Sequence, residues 1–276
     1  MKSVNKEFFG KTALITGGGR GIGLCIANNL ASDGASVIIA DVDEKRGLSA
    51  TQILKANGSD SNYIKIDLST PGAGTDLTDK ASSVTGKIDI LINNVRSGRR
   101  VTFEDESEDN WNLTFDVGLK SAFFCSQSVI KLMSDKGGCS IVNIGSVAGQ
   151  QVTMESPSYH ASKAGLIHLT KYLAVAGGKH NARVNCIVPG LIVQEEHRHR
   201  FNSVENETYR TRALRYHPLG EVGAEDDVAA LVVFLCTNRA RYISGACVLL
   251  DGASTTQEPW ALLLNQLTTS SSPKNK

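Results

Sequence analysis

Thr16-Gly17-Gly18-Gly19-Arg20-Gly21-Ile22-Gly23 follows a strand-like run at 11–16 and opens a helical pattern over Gly21–Ser32. Glycines let a backbone approach a pyrophosphate closely. The helix that follows offers free N–H groups and the positive end of its dipole. A glycine-rich loop alone also fits an ordinary turn. Its place between a strand and a helix favours the phosphate-binding reading. The next strand pattern, 35–40, leads into Asp41. An acid about twenty residues after such glycines can bond the ribose hydroxyls of NAD and repels a 2′-phosphate. Arg20 pulls the other way, because a guanidinium pairs with a phosphate. Asp41 carries more weight, so NAD is expected over NADP. The competing reading of Asp41 is a solvated cap for the helix that begins near Asp43.

Working outward, strand patterns at 62–66, 88–92, 140–144, 183–188 and 246–250 alternate with helical patterns at 43–56, 111–134, 158–176 and 225–235. The strands lack alternating polarity, so both their faces are covered, as in a parallel sheet between helices. Right-handed crossovers then predict an α/β, doubly wound sheet. Residues 191–217 follow Pro189-Gly190, carry many charges and show no strand pattern. They lie at the carboxyl end of a strand, where such sheets bind ligands, and are expected to form a helical substrate lid. One domain is expected over 1–256, followed by an extension at 257–276 whose last residues are disordered.

Composition narrows the function. Lys+Arg 29 against Asp+Glu 28 leaves a net charge of +1, which gives no reason to expect nucleic acid as a partner. The longest apolar run, 229–236, is far too short to cross a bilayer. The amino terminus has no apolar stretch of signal-peptide length. Six scattered cysteines without a CxxC pair suit reduced thiols and argue against a metal site. A soluble, cytoplasmic protein with no membrane partner is expected.

These residues resemble the short-chain dehydrogenase/reductase family over positions 10 to about 253. The T-G-x-x-x-G-x-G spacing matches 16–23. Asn93-Asn94 resembles the start of that family's NNAG motif, Tyr159-His160-Ala161-Ser162-Lys163 is a full Y-x-A-S-K, and Ser146 lies thirteen positions before the tyrosine. The resemblance implies a Rossmann-type sheet in a single domain. It also implies dinucleotide contacts at Gly17, Arg20, Gly21, Ile22, Gly23, Asp41, Asp67, Leu68, Asn94, Tyr159, Lys163, Pro189, Gly190 and Ile192. Ser146, Tyr159 and Lys163 are the implied catalytic residues. A homotetramer is implied too, paired through the helices near 111–135 and 158–176 and the last strand. Phe123, Phe124, Ile130, Leu166 and Leu169 are the apolar residues expected to exceed what one sheet face can cover.

The chemistry stands on the residues as well. Tyr159 and Lys163 are four apart on a helix and share a face. A free tyrosine titrates near pH ~10, and an adjacent ammonium favours its phenolate. Tyr159 can then exchange a proton with a substrate hydroxyl while hydride moves at the carbon. Ser146 can hold the substrate oxygen and offset its developing charge. The predicted reaction is the interconversion of a secondary alcohol and a ketone. Reduction of an activated double bond is disfavoured, because the members that do so space tyrosine and lysine seven apart and position 166 is leucine.

Three departures from the family pattern stand out. Val95-Arg96 replaces the end of NNAG, Gly118 stands where the family has a catalytic asparagine, and Gln194 replaces a threonine. A second reading follows from the first two: a dinucleotide-binding sensor or scaffold with weakened turnover. On the substrate side, Arg96, Arg99 and Arg100 and the lid's Arg198, Arg200, Arg210, Arg212 and Arg215 are candidates to clamp an anionic substrate. The plainer reading of the lid is a solvated helix with Glu195–His199 and Glu196–Arg200 pairs. Met154, Glu155 and His160 are further pocket candidates, His160 more as a packed residue than an acid or base.

Overall fold

The computed structural model describes residues 6–258 and Trp260. The expectation of a disordered tail falls, from residue 261 on, outside the described residues. In chain order the elements are β1 (Thr12–Thr16), α1 (Gly21–Ser32), β2 (Ser36–Asp41), α2 (Glu44–Ala56), β3 (Ser61–Lys65), α3 (Ala73–Thr85) and β4 (Ile90–Asn93). They continue through α4 (Glu108–Phe115), α5 (Ser121–Met133), β5 (Ser140–Ile144), α6 (Pro157–Gly178), β6 (Arg183–Pro189), α7 (Glu195–Asn202), α8 (Glu207–Tyr216), α9 (Glu225–Cys236) and β7 (Cys247–Leu250). Among the described residues, seven strands form one parallel sheet in the order β3-β2-β1-β4-β5-β6-β7. The doubly wound α/β expectation holds.

Residue alternation explains the two layers. Ala13, Ile15, Val37, Ile39, Ile90 and Ile92 pack with α1 and α9. Leu14, Ile38, Leu91 and Ile141 point the other way and pack with α3 and α5. Each fully buried Leu or Ile contributes roughly 1.5–3 kcal/mol over leaving it in water. Both faces are therefore apolar, which is why the strands read as unbroken hydrophobic runs.

The structure corrects several expectations. Helix α3 has no counterpart among the sequence patterns. Its buried stripe is mostly small residues, Ala73, Gly74, Leu77, Thr78 and Ala81, and its ends are marked only by Gly72 and Gly86 at positive φ. The expected single helix at 111–134 starts earlier, where the Ser107 hydroxyl accepts a bond from Asn110 N. It is then interrupted by a π-helical turn, Asp116–Lys120. Gly118 sits in that turn, and a Cβ there would come within 2.8 Å of Ser162 Oγ on α6. Of the residues expected to be left over for subunit pairing, Ile130 and Leu166 are buried within this chain. Phe124 is exposed as expected, and the other exposed apolar side chains on α5 and α6 are Tyr172 and Val175.

Candidate active site

The glycine loop crosses the carboxyl end of β1. Gly17 and Gly21 have φ of 64° and 52°, a region that disfavours side chains. A Cβ on Gly23 would strike the Gly17 carbonyl, so α1 packs directly on the loop. Asn94 fastens this loop from the end of β4, its Nδ2 donating to Thr16 O and Gly17 O at 3.1 Å each. No side chain caps the amino end of α1, whose N-cap is Arg20. The loop is thus a backbone cradle with unpaired helix N–H groups, and it fits a dinucleotide pyrophosphate.

Asp41 ends β2 beside this cradle. Its carboxylate accepts from Gly19 N and Asp43 N, both at 3.0 Å. The helix cap that was the competing reading belongs to Asp43, which accepts from Arg46 N. Asp67 follows β3, is exposed and accepts from the Ser69 amide and hydroxyl. Leu68 has its side chain in the core between sheet and α3, which leaves its main chain for a ligand. Ile22 and Ile192 likewise pack on the core beneath the cleft.

Ser146 lies two residues beyond β5 and caps a short 3-10 turn, Val147–Gly149, its Oγ accepting from Ala148 N at 3.2 Å. That turn abuts α6, because a Cβ on Gly149 would lie 2.7 Å from the Lys163 carbonyl carbon. Tyr159 and Lys163 occupy successive turns of α6. The Lys163 ammonium is buried, donates to Ile144 O at 2.7 Å and lies 5.6 Å from the Tyr159 ring centroid. The amino end of α6 is braced from three sides. Ser156 caps it by accepting from Tyr159 N, Glu106 accepts from Ser158 N at 3.0 Å, and the Ser158 hydroxyl donates to Thr114. Burial pushes the Glu106 carboxyl up, but the bonds from Asn110 and Ser158 outweigh it and hold it below the usual range. Sequence reasoning had no signal for Glu106, 52 residues from its partner.

His160 is a packing residue. Its Nε2 accepts from Thr153 N and its Nδ1 bonds Ser156 O, both at 2.8 Å, so it staples the 153–156 segment. Arg96 stands over the Tyr159 ring, 4.8 Å from the centroid, and pairs with Glu155 at 3.5 Å. Arg100 donates to Met154 O. In the lid, Arg198 pairs with Glu195 at 2.8 Å, and Arg210 donates to Phe201 O and Ser203 O. These two arginines are committed to the lid itself. The expected Glu196–Arg200 pairing is replaced by Glu196 bonded to Arg20 at 3.2 Å, from lid to glycine loop. Gln194 reaches the same place, since a Cβ on Gly21 would overlap its Oε1. Pro189 ends β6, and Gly190 passes so close to Asp251 that a Cβ would meet its Cβ at 2.8 Å.

The family model described as enoyl-(acyl carrier protein) reductase matches residues 17–255. The chain belongs to the short-chain dehydrogenase/reductase family. Among curated members, the 3-oxoacyl-[acyl-carrier-protein] reductase FabG of Chlamydia pneumoniae is 33% identical over 246 residues, covering 89% of this chain and 97% of that one. A 7alpha-hydroxysteroid dehydrogenase of Bacteroides fragilis is 33% identical over 256 residues, 92% of this chain and 97% of its own. Among solved members of the family, L-sorbose reductase from Gluconobacter frateurii, complexed with NADPH and L-sorbose, superimposes with a TM-score of 0.84. It is 28% identical, over 92% of this chain and all of that one. As in the rest of the family, the chain presents a Rossmann-type sheet and a site for a nicotinamide dinucleotide.

Proposed function

We propose that the protein interconverts a secondary alcohol and a ketone with NAD(H), using Tyr159 as acid and base. The observation that carries this reading is the buried Lys163 ammonium, anchored on Ile144 O two residues before Ser146 and 5.6 Å from the Tyr159 ring centroid. The nicotinamide, when bound, supplies the hydride acceptor or donor. Gly17, Arg20, Gly21, Ile22 and Gly23 would hold the pyrophosphate, Asp41 the adenosine ribose, and Asp67 and Leu68 the adenine. Asn94, Pro189, Gly190 and Ile192 would border the nicotinamide, and Tyr159 and Lys163 its ribose. Tyr159 moves the proton at the substrate oxygen, Lys163 favours the phenolate, and Ser146 donates to that oxygen.

Asp41 supports NAD over NADP. Its charge lies beside the loop where a 2′-phosphate would come, and Arg20 is engaged by Glu196. The names of the relatives, a 3-oxoacyl reductase and a 7alpha-hydroxysteroid dehydrogenase, support oxo–hydroxy chemistry. Arg96 beside Tyr159 favours a polar or anionic hydroxy compound as substrate. Subunit pairing into a homotetramer is supported by Phe124, Tyr172 and Val175, and a cytoplasmic setting by six free cysteines.

The test is NADH oxidation against a panel of ketones, oxo acids and sugars, with NAD reduction by the matching alcohols. Turnover with at least one pair is expected. Tight dinucleotide binding without turnover of any pair would favour the sensor or scaffold reading. Equal or better efficiency with NADPH would overturn the choice of NAD.

A further inference from the structure

Cys186 and Cys247 are register partners on the neighbouring parallel strands β6 and β7. Partners in register present their side chains on the same face. Both lie with Ile167, Val188 and Val147 in the layer between the sheet and α6. The Cys186 thiol donates to Ile187 O at 3.5 Å and the Cys247 thiol to Ile167 O at 3.6 Å, so neither sulfur is tied to a charged partner. Neighbouring strands run about 4.8 Å apart, and a disulfide needs Cα atoms roughly 4.4–6.8 Å apart. The backbone spacing therefore admits a bond between these sulfurs with neither strand displaced.

We propose that Cys186 and Cys247 form an oxidation site at which a hydroperoxide converts the two thiols into an intrachain disulfide. Cys247 is the half-buried member, on the edge strand. Its thiolate attacks the peroxide O–O bond. One oxygen stays on sulfur as a sulfenic acid, and the other leaves as water or an alcohol with the proton the thiol gave up. Cys186 Sγ then attacks that sulfur. The S–S bond forms, the S–O bond breaks, and the departing hydroxide takes the Cys186 proton and leaves as water. Two thiols lose two electrons and the hydroperoxide gains them.

Their surroundings divide the two roles. The neighbouring Cys186 thiol outweighs burial and, with Lys171 nearby, brings the Cys247 thiol down to about 7. The neighbouring Cys247, together with burial, pushes Cys186 up. Burial drives Cys25, Cys125 and Cys139 to about 12. The thiolate is the nucleophile, so Cys247 is the sulfur that a peroxide oxidises first. The site also touches the candidate active site. A Cβ on Gly145, the residue before Ser146, would lie 2.8 Å from Cys186 Sγ.

The experiment treats the whole native chain with hydrogen peroxide at neutral pH, blocks the remaining thiols by alkylation and maps peptides without reduction. A linked Cys186–Cys247 peptide pair is expected, lighter by two hydrogens, formed about tenfold or more faster than Cys25 is oxidised and reversed by dithiothreitol. In Cys186→Ser, Cys247 is expected to accumulate as a sulfenic acid that dimedone traps. The proposal is overturned if Cys247 of the wild-type chain is recovered alkylated and unlinked after Cys25 has oxidised. It is equally overturned if Cys247 becomes a sulfinic acid while Cys186 remains a thiol. The wild-type map needs no substitution, so poor folding of a variant does not affect these outcomes.

Discussion

The Tyr159 ring has Arg96 at 4.8 Å and Lys163 at 5.6 Å from its centroid, and its hydroxyl is the group proposed to move the proton. Tyr159→Phe keeps the ring and both cation contacts, so turnover should vanish while NADH binding stays within a few-fold; retained activity would mean that another group carries the proton. Arg96→Met should raise KM mainly for acidic substrates and leave neutral analogues little changed. Equal losses on both would assign Arg96 to its pair with Glu155 alone. Asp251 offers a test by pH. Burial pushes its carboxyl up, but bonds from the Thr255 hydroxyl and amide, Ala253 N and Ser254 Oγ outweigh that and hold it below the ordinary value. A carboxyl lowered on folding stabilises the fold above its unfolded value, about 3.9. That contribution fades as pH falls through the folded value. Asp251→Asn should therefore cost about 1–3 kcal/mol at neutral pH. Denaturation midpoints of the two proteins should converge in acid, and an undiminished gap there would refute this account.

At the scale of elements, α7 has no buried residue, whereas α8 buries Ala213 and is followed by the buried His217, whose Nδ1 bonds Ala213 O. The lid is thus anchored at its far end and held at its near end by Gln194 and the Arg20–Glu196 pair. Both partners of that pair are about half exposed, which limits its worth to about 1 kcal/mol, roughly fivefold in an equilibrium. Glu196→Gln should free Arg20 for a 2′-phosphate and raise NADPH efficiency relative to NADH by up to that factor. An unchanged ratio of kcat/KM values would show that Arg20 takes no part in coenzyme choice. The π-helical turn at Asp116–Lys120 is a second element-scale feature. It brings the backbone at Gly118 against Ser162, whose hydroxyl, 2.8 Å from where a Cβ would lie, would have to turn aside for any side chain there. Whatever that residue does in other members, this chain meets α6 there with main chain.

For the whole molecule, the exposed Phe124, Tyr172 and Val175 on neighbouring helices leave apolar surface that a second copy could cover. Sedimentation at micromolar concentration should give four times the mass of the chain, and a monomer would count against the proposed assembly. Tyr242, 95% exposed near the start of β7, should lose solvent access in that assembly if the last strand also takes part.

Local spacing carried the chemistry in the sequence. The glycine loop, Asp41 after the second strand and the four-residue step from Tyr159 to Lys163 each depend on a few bonded neighbours, so reading them needs no knowledge of distant contacts. The unbroken apolar strands likewise announce a sheet buried on both faces, because each strand must satisfy two layers. What sequence left open depends on partners far along the chain. Helix α3 has too thin an apolar stripe to declare itself, and it exists because α5 covers it. Ile130 and Leu166 looked available for subunit contact until the tertiary fold buried them. Arg20 meets Glu196 across 176 positions, so the side chain read as a candidate 2′-phosphate partner is also one half of a lid contact. Cys186 and Cys247 become a pair only through the register of β6 on β7. In each case burial and charge pairing were decided by which surfaces the folded chain brings together, and spacing along the sequence does not contain that information.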